Sequence, residues 1–403
     1  MSVLNILEEK LAETKKQGRF REFLNLERGV QDNPWATSHG HHGERRLNVW
    51  CSNDYLAMSH HPKVLLATTE AVNRVGLGTC GARSISGTSV YHSELETLLA
   101  SAYGKESALL FTTGFGANDA TLSTLCDAIP DLIVFSDELN HASMIYGIRY
   151  SKAEKKIFRH NDVAHLAELL QAADPARPKL IAFESLYSMD GDFAPLAQIV
   201  ALAEQYQALT YLDEIHSAGV YGERGLGYAE QLGLLDKITI IQGGFGKSYG
   251  AAGGYIAAPR SVVEAVRSWA PAFVFSTSSP APVVAAALAS FKYNLEHDTQ
   301  RKHLLAIVDH LKTGLRAAGI PLVSADSHIL PLRVGDPHRN KHISKVLLDE
   351  HDIYVQPVNA PTVPAGSERL RVTPTSAHSH ADVETFLAAL GRVWAANDLR
   401  RAG

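Results

Sequence analysis

Lys247 lies in the glycine-rich segment IQGGFGKSYG, residues 241–250, where a lysine can do two kinds of chemistry. Its ammonium group can grip phosphate, as in the P-loop, or its amine can act as a covalent nucleophile. The Gly-Lys-Ser ending fits the P-loop pattern, but that pattern requires a glycine at the position of Ile241. The choice between the two therefore depends on the residues that surround Lys247 in the fold.

Other residues capable of chemistry follow predicted strands, at the points where the strands end. They are Thr113, Gly114 and Phe115 after residues 107–111, His141 after 132–136, Glu184 and Ser188 at or just beyond the end of 179–185, Asp213 and His216 at or just beyond the end of 209–213, and Lys247 after 238–242. Ligands of open α/β sheets bind beyond the carboxyl ends of the strands. We therefore expect these groups to meet in one crevice.

Each group also has an ordinary structural explanation. The segment at Thr113 can be a plain turn between a strand and a helix, Asp213 can cap a helix, and His141 is one of 19 histidines. Taken together, however, a cradle of backbone N–H groups, a carboxylate, an imidazole and a lysine suit pyridoxal 5'-phosphate (PLP). In that hypothesis Lys247 is the covalent anchor rather than a P-loop lysine.

The elements that must position these residues alternate along the chain. Short apolar runs at 107–111, 132–136, 179–185, 209–213 and 238–242, and a further run at 253–258, predict strands. Between them, residues 161–173 and 196–207 show apolar spacing near the helical period. This alternation predicts an α/β fold with a mostly parallel central sheet.

A chain of 403 residues is too long for one ordinary core, so we predict three segments. Residues 1–50 form an N-terminal helix and segment, with Leu4, Leu7 and Leu11 on one stripe that packs on the small domain or on a partner subunit. Residues 51–290 form the large PLP-binding domain. Residues 291–403 form a smaller α/β domain, whose last helix begins at Ser379 with Asp382 three positions later, as in a capping box.

Composition limits the classes of function. The net charge of -5 gives no general attraction to nucleic acid or anionic membranes, and no apolar run has the roughly 20 residues of a membrane span. The three cysteines, at positions 51, 80 and 126, are too far apart for a CxxC pair, so we expect neither a disulfide scaffold nor a metal site. Because no signal peptide or mitochondrial leader is recognisable, we expect a bacterial cytoplasmic protein.

Longer motifs resemble one family. The segments WCSNDYLAM, NHASMIYGIR, LIAFESLYSMDGD, YLDEIHSAGVYGERG and RLRVTPT, together with the lysine segment, resemble the α-oxoamine synthases, PLP enzymes of fold type I (aspartate-aminotransferase-like). Within them the chain is most similar to the enzymes that make 5-aminolevulinate, from residue 18 to the last helix. The resemblance implies condensation of glycine with succinyl-CoA to give 5-aminolevulinate, CoA and carbon dioxide, as in haem and tetrapyrrole biosynthesis.

The resemblance also implies roles for matching residues. Lys247 would hold PLP and then act as acid and base, Asp213 would pair with the pyridine nitrogen, His141 would stack on the ring, and His216 would lie near the phenolic oxygen. Thr113, Gly114, Phe115 and Ser188 would help to seat the cofactor. Ser276 and Thr277 would reach the phosphate in the neighbouring subunit, so the family implies a homodimer with shared active sites.

On the substrate side, the resemblance implies that Arg371 grips the amino-acid carboxylate. Arg21 would meet the succinyl carboxylate with Thr362 nearby, and Lys155 would face the phosphates of CoA. The remaining residues implied at the substrate are Asn53, Ala82, Ser84 and Ser136. Without the resemblance, Arg21 and Lys155 are better explained as solvated surface cations.

The chain departs from the family pattern inside the site. Ala82 stands where a threonine is expected, Ser84 where an asparagine is expected, and Gly244 where a threonine is expected. These changes leave open a related α-oxoamine synthase that uses another amino acid or acyl-CoA in a secondary pathway. An aminotransferase on the same fold and a partner subunit without activity are further alternatives, but the Arg21 and Lys155 matches disfavour the first, and the presence of Lys247 disfavours the second.

Overall fold

The computed structural model describes residues 3–20, 22–40, 43–397 and 399. Within them the helices are α1 (Val3–Lys16), α2 (Pro62–Val75), α3 (Val90–Tyr103), α4 (Gly114–Ala128), α5 (Ala142–Arg149), α6 (Val163–Gln171), α7 (Leu196–Gln205), α8 (Tyr228–Gln231), α9 (Arg260–Trp269), α10 (Pro271–Val274), α11 (Ala281–Glu296), α12 (Thr299–Ala317), α13 (Pro337–His351) and α14 (His380–Ala396). The strands are β1 (Leu26–Glu27), β2 (Trp35–Gly40), β3 (Gly43–Val49), β4 (Ser107–Phe111), β5 (Ile133–Asp137), β6 (Glu154–Phe158), β7 (Lys179–Glu184), β8 (Leu209–Asp213), β9 (Ile240–Gly244), β10 (Gly254–Ala258), β11 (Leu330–Arg333), β12 (Ile353–Tyr354), β13 (Gln356–Val358) and β14 (Arg369–Val372).

The chain divides into two compact units. The large unit comprises residues 56–187 and 193–301, and the small unit comprises residues 1–55, 188–192 and 302–403. The sequence-based boundaries at 50/51 and 290/291 stay predictions. In the observed division the chain first changes unit after residue 55 and last changes unit after residue 301, inside α12. The segment 188–192 belongs to the small unit although the residues on both sides of it belong to the large one.

The large unit is built on a seven-stranded sheet of order β4-β10-β9-β8-β7-β5-β6. All its ladders are parallel except the two made by β10, which runs antiparallel to both β4 and β9. Both faces are buried: Ile133 and Phe135 of β5 pack into one apolar cluster, and Val134 between them packs into the other. This arrangement confirms the predicted α/β class with a mostly parallel central sheet.

The predicted strands agree closely with the observed ones. The bounds of β4 and β8 match the predicted runs, whereas β5 and β9 each begin and end one or two residues later than predicted. The strand β6, with sequence EKKIF, was not predicted. Three of its five residues are charged, and it can accommodate them because it lies at the edge of the sheet beside β5.

The small unit has its own core. Strands β11, β14 and β13 form an antiparallel sheet, and buried residues of α12, α13 and α14 pack with it around Trp50, whose ring stacks on Phe386 with centroids 4.4 Å apart. The last helix begins as predicted, with Ser379 and Asp382 forming a capping box. None of the residues of α1 is buried, so its Leu4, Leu7 and Leu11 stripe does not pack on the small domain as one alternative predicted, because these residues are exposed. Packing on a partner subunit stays a prediction. Among the described residues, none of the helices combines the length and the apolar character that a membrane crossing requires.

Candidate active site

Three polar side chains form a row at the carboxyl edge of the large sheet. Glu184 of β7 is the register partner of Asp213 of β8, and Asp213 is the register partner of Gln242 of β9. Because register partners on neighbouring strands point to the same face, the two carboxyl groups and the amide project to the same side. All three are almost fully buried. The predicted convergence of strand ends is therefore observed for β7, β8 and β9.

Asp213 is buried among hydrogen-bond donors. Its Oδ2 accepts a hydrogen bond of 2.7 Å from Nδ2 of Asn118, and its Oδ1 accepts one of 2.8 Å from the backbone N–H of Ile215. A buried carboxylate needs such donors because it has lost its hydration. The aspartate thus has a fixed orientation at the end of β8, as a partner for a protonated ring nitrogen requires.

Lys247 lies in a loop that both flanking strands hold in place. Gly244 pairs with Gly254 across β9 and β10, and the backbone N–H of Phe245 donates to the carbonyl of Gly253 at 3.0 Å. The Nζ atom of Lys247 lies 2.6 Å from Nε2 of His216, which is 5% exposed. The predicted pair of lysine and histidine therefore lies in direct contact.

His141 caps the start of α5 beside the same strand ends. Its backbone N–H donates to Oε1 of Glu184 at 2.5 Å, and its Nδ1 accepts from the backbone N–H of Ser143 at 3.2 Å. The ring of Phe115 meets the imidazole edge-to-face, with centroids 6.3 Å apart. Desolvation lowers the pKa of His141; the Asp213 carboxylate acts in the opposite direction, and Lys247 lowers the pKa further.

Lys247 and Asp213 are joined in one site by geometry: Lys247 contacts His216, three positions after Asp213, and follows Gln242, the register partner of Asp213, by five positions. The pKa of Glu184 is raised well above its ordinary value, first by burial and then by the Asp213 carboxylate, while Lys247 lowers it. Both Asp213 and Lys247 thus act on the same histidine and the same glutamate. They lie in one site rather than in separate cavities, which is the arrangement that a single bound ring requires.

A compact cradle adjoins the first turn of α4. Thr113 caps this helix by accepting from the backbone N–H of Gly116 at 2.9 Å. A Cβ added at Gly114 would lie 2.5 Å from Cδ1 of Ile215, and one at Gly244 would lie 2.6 Å from the same atom. A side chain at Gly114 or Gly244 would therefore displace Ile215, and the exposed Thr112 and Thr113 leave the helix start accessible for a phosphate.

Ser276 and Thr277 line an open cavity of about 370 Å³. The same cavity is lined by Arg83, Thr112 and Gly116, so the predicted phosphate contacts of residues 276 and 277 lie near the start of α4 of their own chain. Ala82 forms an isolated antiparallel bridge with Thr277, and Ser84 is exposed. The contact of Ser276 and Thr277 with a neighbouring subunit's cofactor stays a prediction.

In the small unit, Arg371 is held by a set of oxygen atoms. Its Nε donates to the carbonyl of Ser188 at 2.8 Å, one terminal nitrogen donates to Oδ1 of Asn53 at 3.0 Å, and the other donates to the hydroxyl of Tyr55 at 3.2 Å. These bonds use three of the five N–H donors of the guanidinium. The remaining donors can serve a carboxylate, and the side chain of Arg371 is oriented in advance. Asn53 and Ser188 thus lie against Arg371, while the role of Ser188 in seating the cofactor stays a prediction.

The other predicted substrate residues lie apart or have structural partners. The hydroxyl of Ser136 is buried and accepts from Nδ2 of Asn140 at 2.9 Å. The Nζ atom of Lys155 donates to the last carbonyls near α5, those of Arg149 at 2.9 Å and Ser151 at 3.0 Å. Thr362 is exposed in the small unit, and Arg21 lies outside the described residues. Lys155 thus satisfies backbone carbonyls at the end of α5, while its predicted contact with the phosphates of CoA stays a prediction.

The donor set fits PLP. A lysine amine, an oriented buried carboxylate, an imidazole beside both, and a helix start freed of side chains are the groups that hold such a ring and its phosphate. Among the described residues, no group of three or more histidine, cysteine, aspartate or glutamate side chains is placed to hold a metal ion.

Comparison with known proteins agrees with this chemistry. The family model for class I and II aminotransferases matches residues 46–390. The chain is 48% identical to the 5-aminolevulinate synthase of Rhodobacter capsulatus, with 98% of each chain covered. It is 49% identical to that of Paracoccus denitrificans, again with 98% of each covered. The chain belongs to the α-oxoamine synthase family, within the class I and II aminotransferases.

A solved relative has the same fold and holds the cofactor. A high-resolution structure of SPT (serine palmitoyltransferase) with PLP superposes on this α-oxoamine synthase with a TM-score of 0.93 and 31% identity, covering 99% of this chain and 100% of that one. The predicted family, fold type I and cofactor are thereby confirmed. PLP is the cofactor of this α-oxoamine synthase.

The sequence did not predict the residues that contact and orient the site residues of this α-oxoamine synthase. Asn118, Ser143 and Ile215 contact predicted site residues but were not themselves predicted. Asn118 carries a signal that could have found it: it follows Gly114 by four positions in a helix, so both lie on the same face of α4. Ser143 and Ile215 each follow a predicted residue by two positions and carry no comparable pattern.

Proposed function

We propose that this α-oxoamine synthase condenses glycine with succinyl-CoA to give 5-aminolevulinate, CoA and carbon dioxide. A carbon–carbon bond forms between the glycine α carbon and the thioester carbonyl, CoA leaves as the thiol, and the glycine carboxyl group leaves as carbon dioxide. The observation that carries the proposal is the contact of Lys247 with His216, three positions beyond the buried Asp213 carboxylate, in a chain 48% identical to a 5-aminolevulinate synthase.

In this proposal, the residues of the large unit hold the cofactor and move the proton. Lys247 is the covalent anchor, Asp213 accepts from the pyridine nitrogen, His141 lies on the ring face, and residues 113–115 seat the phosphate. The chemistry that PLP supplies when bound is an electron sink for the pair left on the amino-acid carbon. Lys247 takes the proton from that carbon, and His216 orients the amine through the 2.6 Å contact between Nζ and Nε2.

The residues of the small unit bind the substrate carboxylate. Arg371 grips the carboxylate of glycine, because its planar guanidinium is oriented by hydrogen bonds to Asn53, Tyr55 and Ser188. Arg21 and Thr362 meet the succinyl carboxylate in the same proposal. Lys155 faces the phosphates of CoA, and Ser136 completes the predicted substrate residues.

The proposal includes a homodimer in the cytoplasm that serves haem and tetrapyrrole synthesis. Ser276 and Thr277 would complete the neighbouring subunit's site. Apolar side chains beside them support coverage by another chain, since Phe275 is 84% exposed and Ile85 is 71% exposed.

The experiment is CoA-release kinetics over a matrix of amino acids and acyl-CoA thioesters. We expect glycine with succinyl-CoA to be the best pair, with release abolished in Lys247→Ala. Lys237→Ala is a matched control, because Lys237 lies in the same unit but pairs with Glu204 at 2.7 Å, on elements that carry none of the proposed catalytic residues. A Lys247→Ala variant that retained both the visible absorbance of the bound cofactor and CoA release would remove this lysine from the reaction.

The second candidate is an α-oxoamine synthase with another amino acid or acyl-CoA. It is favoured by the site changes Ala82, Ser84 and Gly244. At Gly244 the Cβ of the expected threonine would lie 2.6 Å from Cδ1 of Ile215, so that side chain would have to move. The same matrix decides: turnover with alanine or serine above that with glycine, or with another thioester above succinyl-CoA, would replace the first candidate by the second.

A further inference from the structure

We propose that Asn118 is a positioning residue that fixes Asp213 and His141 relative to each other through one side-chain amide. The roles of Asp213 and His141 at the cofactor rest on the proposed function, whereas the amide network stands on its own contacts. Asn118 lies in α4, is 2% exposed, and has both ends of its amide engaged.

Chemistry fixes the orientation of this amide. Nδ2 donates to Oδ2 of Asp213 at 2.7 Å and to Oγ of Ser143 at 3.0 Å, while Oδ1 accepts from the hydroxyl of Tyr211 at 2.7 Å. The reverse orientation would place an amide oxygen against a carboxylate, which can only accept. Both N–H donors of Asn118 are therefore committed, one toward the aspartate and one toward the segment that carries His141.

The first arm of the network ties α4 to strand β8. Tyr211 and Asp213 are two positions apart in β8, so their side chains point to the same face of the sheet. Asn118 bridges the two, accepting from Tyr211 and donating to Asp213. Because the phenol and the carboxylate are both almost fully buried, water cannot replace the amide without rearrangement of the packing.

The second arm reaches His141 through Ser143, which also shows which nitrogen of the imidazole carries the proton. The Ser143 hydroxyl accepts from Asn118, so its own hydrogen is free to point at Nδ1 of His141, 2.7 Å away. The backbone N–H of Ser143 also points at Nδ1, at 3.2 Å. A nitrogen that accepts from two donors holds no proton, so the neutral imidazole carries its hydrogen on Nε2.

One side chain therefore acts on two properties of the site: the orientation of the Asp213 carboxylate and the strength of the hydrogen bonding at Nδ1 of His141. Loss of the amide removes a donor from Asp213 and releases the Ser143 hydroxyl, which weakens the hydrogen bonding at Nδ1 although the backbone N–H of Ser143 still donates to it. A merely structural asparagine would leave both properties unchanged once the protein had folded. This difference makes the proposal measurable without reference to turnover.

The test is ¹⁵N NMR of the holoenzyme, with labelled histidine and with cofactor labelled at the ring nitrogen. A His141→Gln variant assigns the His141 signals. In the wild type we expect Nδ1 of His141 to be unprotonated and the ring nitrogen to be protonated. Asn118→Ala should move both signals, Ser143→Ala should move only that of His141, and cofactor affinity should fall on the order of tenfold in Asn118→Ala.

Asn294→Ala is the matched control. Asn294 is equally buried in the large unit, but its side chain donates only within its own helix, to the carbonyl of Ser290 at 2.9 Å. Both signals should keep their wild-type values there. The proposal is overturned if His141 of the wild type carries its proton on Nδ1, a result that needs no variant to fold. It is also overturned if Asn118→Ala leaves both signals in place.

These outcomes are separable from those of the proposed function. A wild-type enzyme that releases no CoA from glycine and succinyl-CoA, but in which Asn118→Ala moves both signals, would reject the proposed substrates and support the positioning role. An enzyme that releases CoA from glycine and succinyl-CoA, but in which Asn118→Ala leaves both signals in place, would support the proposed substrates and reject the positioning role.

Discussion

Restoring the threonine that the family pattern expects at position 244 should destabilise this protein. The new Cβ would lie 2.6 Å from Cδ1 and 2.8 Å from Cγ1 of Ile215, well inside normal contact. Overpacking of this kind costs about 1–3 kcal/mol. Replacing a glycine by a residue with a side chain recovers about 0.5–1 kcal/mol where the backbone is extended, as it is in β9. The net loss should be about 1–2 kcal/mol.

Thermal unfolding of the apoprotein measures this loss. For a unit of this size each kcal/mol corresponds to a shift of about 2–4 °C, so Gly244→Thr should lower the melting temperature by roughly 5 °C. Ile215→Ala removes the clashing atoms, and the double variant should melt higher than the sum of the single effects predicts. Gly246→Thr is the matched control, since a Cβ there meets nothing within 4 Å. A Gly244→Thr variant that melts at the wild-type temperature, or a double variant with additive effects, would refute the reasoning.

The remaining predictions concern the small unit. Burial lowers the pKa of His378 from its ordinary 6.5 to about 4, so the stability it contributes is present above pH 6.5 and is lost as the pH falls through 4. At about 1.4 kcal/mol per pH unit, the free energy of unfolding should fall by roughly 3 kcal/mol over this range. Denaturant titrations should show that the free energy of unfolding depends less on pH in His378→Gln. Arg371→Lys should raise KM for glycine by about 10–100-fold with a smaller change in kcat, measured by CoA release, because lysine lacks the planar fork; an unchanged KM would contradict the role. Ser379→Ala should lower stability by about 1 kcal/mol through loss of the capping box with Asp382, whereas an equal melting temperature would count against it.

Much of the large unit could be predicted because its strands are apolar on both faces. The runs at β4 and β8 are short and mostly apolar, as strands covered on both faces are, and the importance of the polar residues after them follows from the rule that ligands bind beyond strand ends. The edge strand β6 could not be predicted, since its glutamate and two lysines reflect solvent exposure rather than the core. Its existence depends on pairing with β5, a tertiary fact.

The supporting residues of the site were beyond reach for a related reason. Asp213 and Lys247 are chemically distinctive types, whereas an asparagine and a serine in helices are ordinary until their partners are known. Asn118 and Ser143 gain their meaning from contacts with β8 and with each other, at sequence separations of 95 and 25 residues. Sequence thus predicts the groups that react, and the structure adds those that hold them.

Because residues 188–192 belong to the small unit, recombination between homologous genes is constrained. Asp190 forms an ion pair of 2.7 Å with the buried Arg369, so a five-residue insert is tied to a strand almost two hundred positions away. A hybrid gene that took codons 56–301 from one parent and the rest from another would encode Asp190 and Arg369 from different parents. Viable hybrids should therefore inherit both partners from the same parent, and homologous genes should exchange these positions together or not at all.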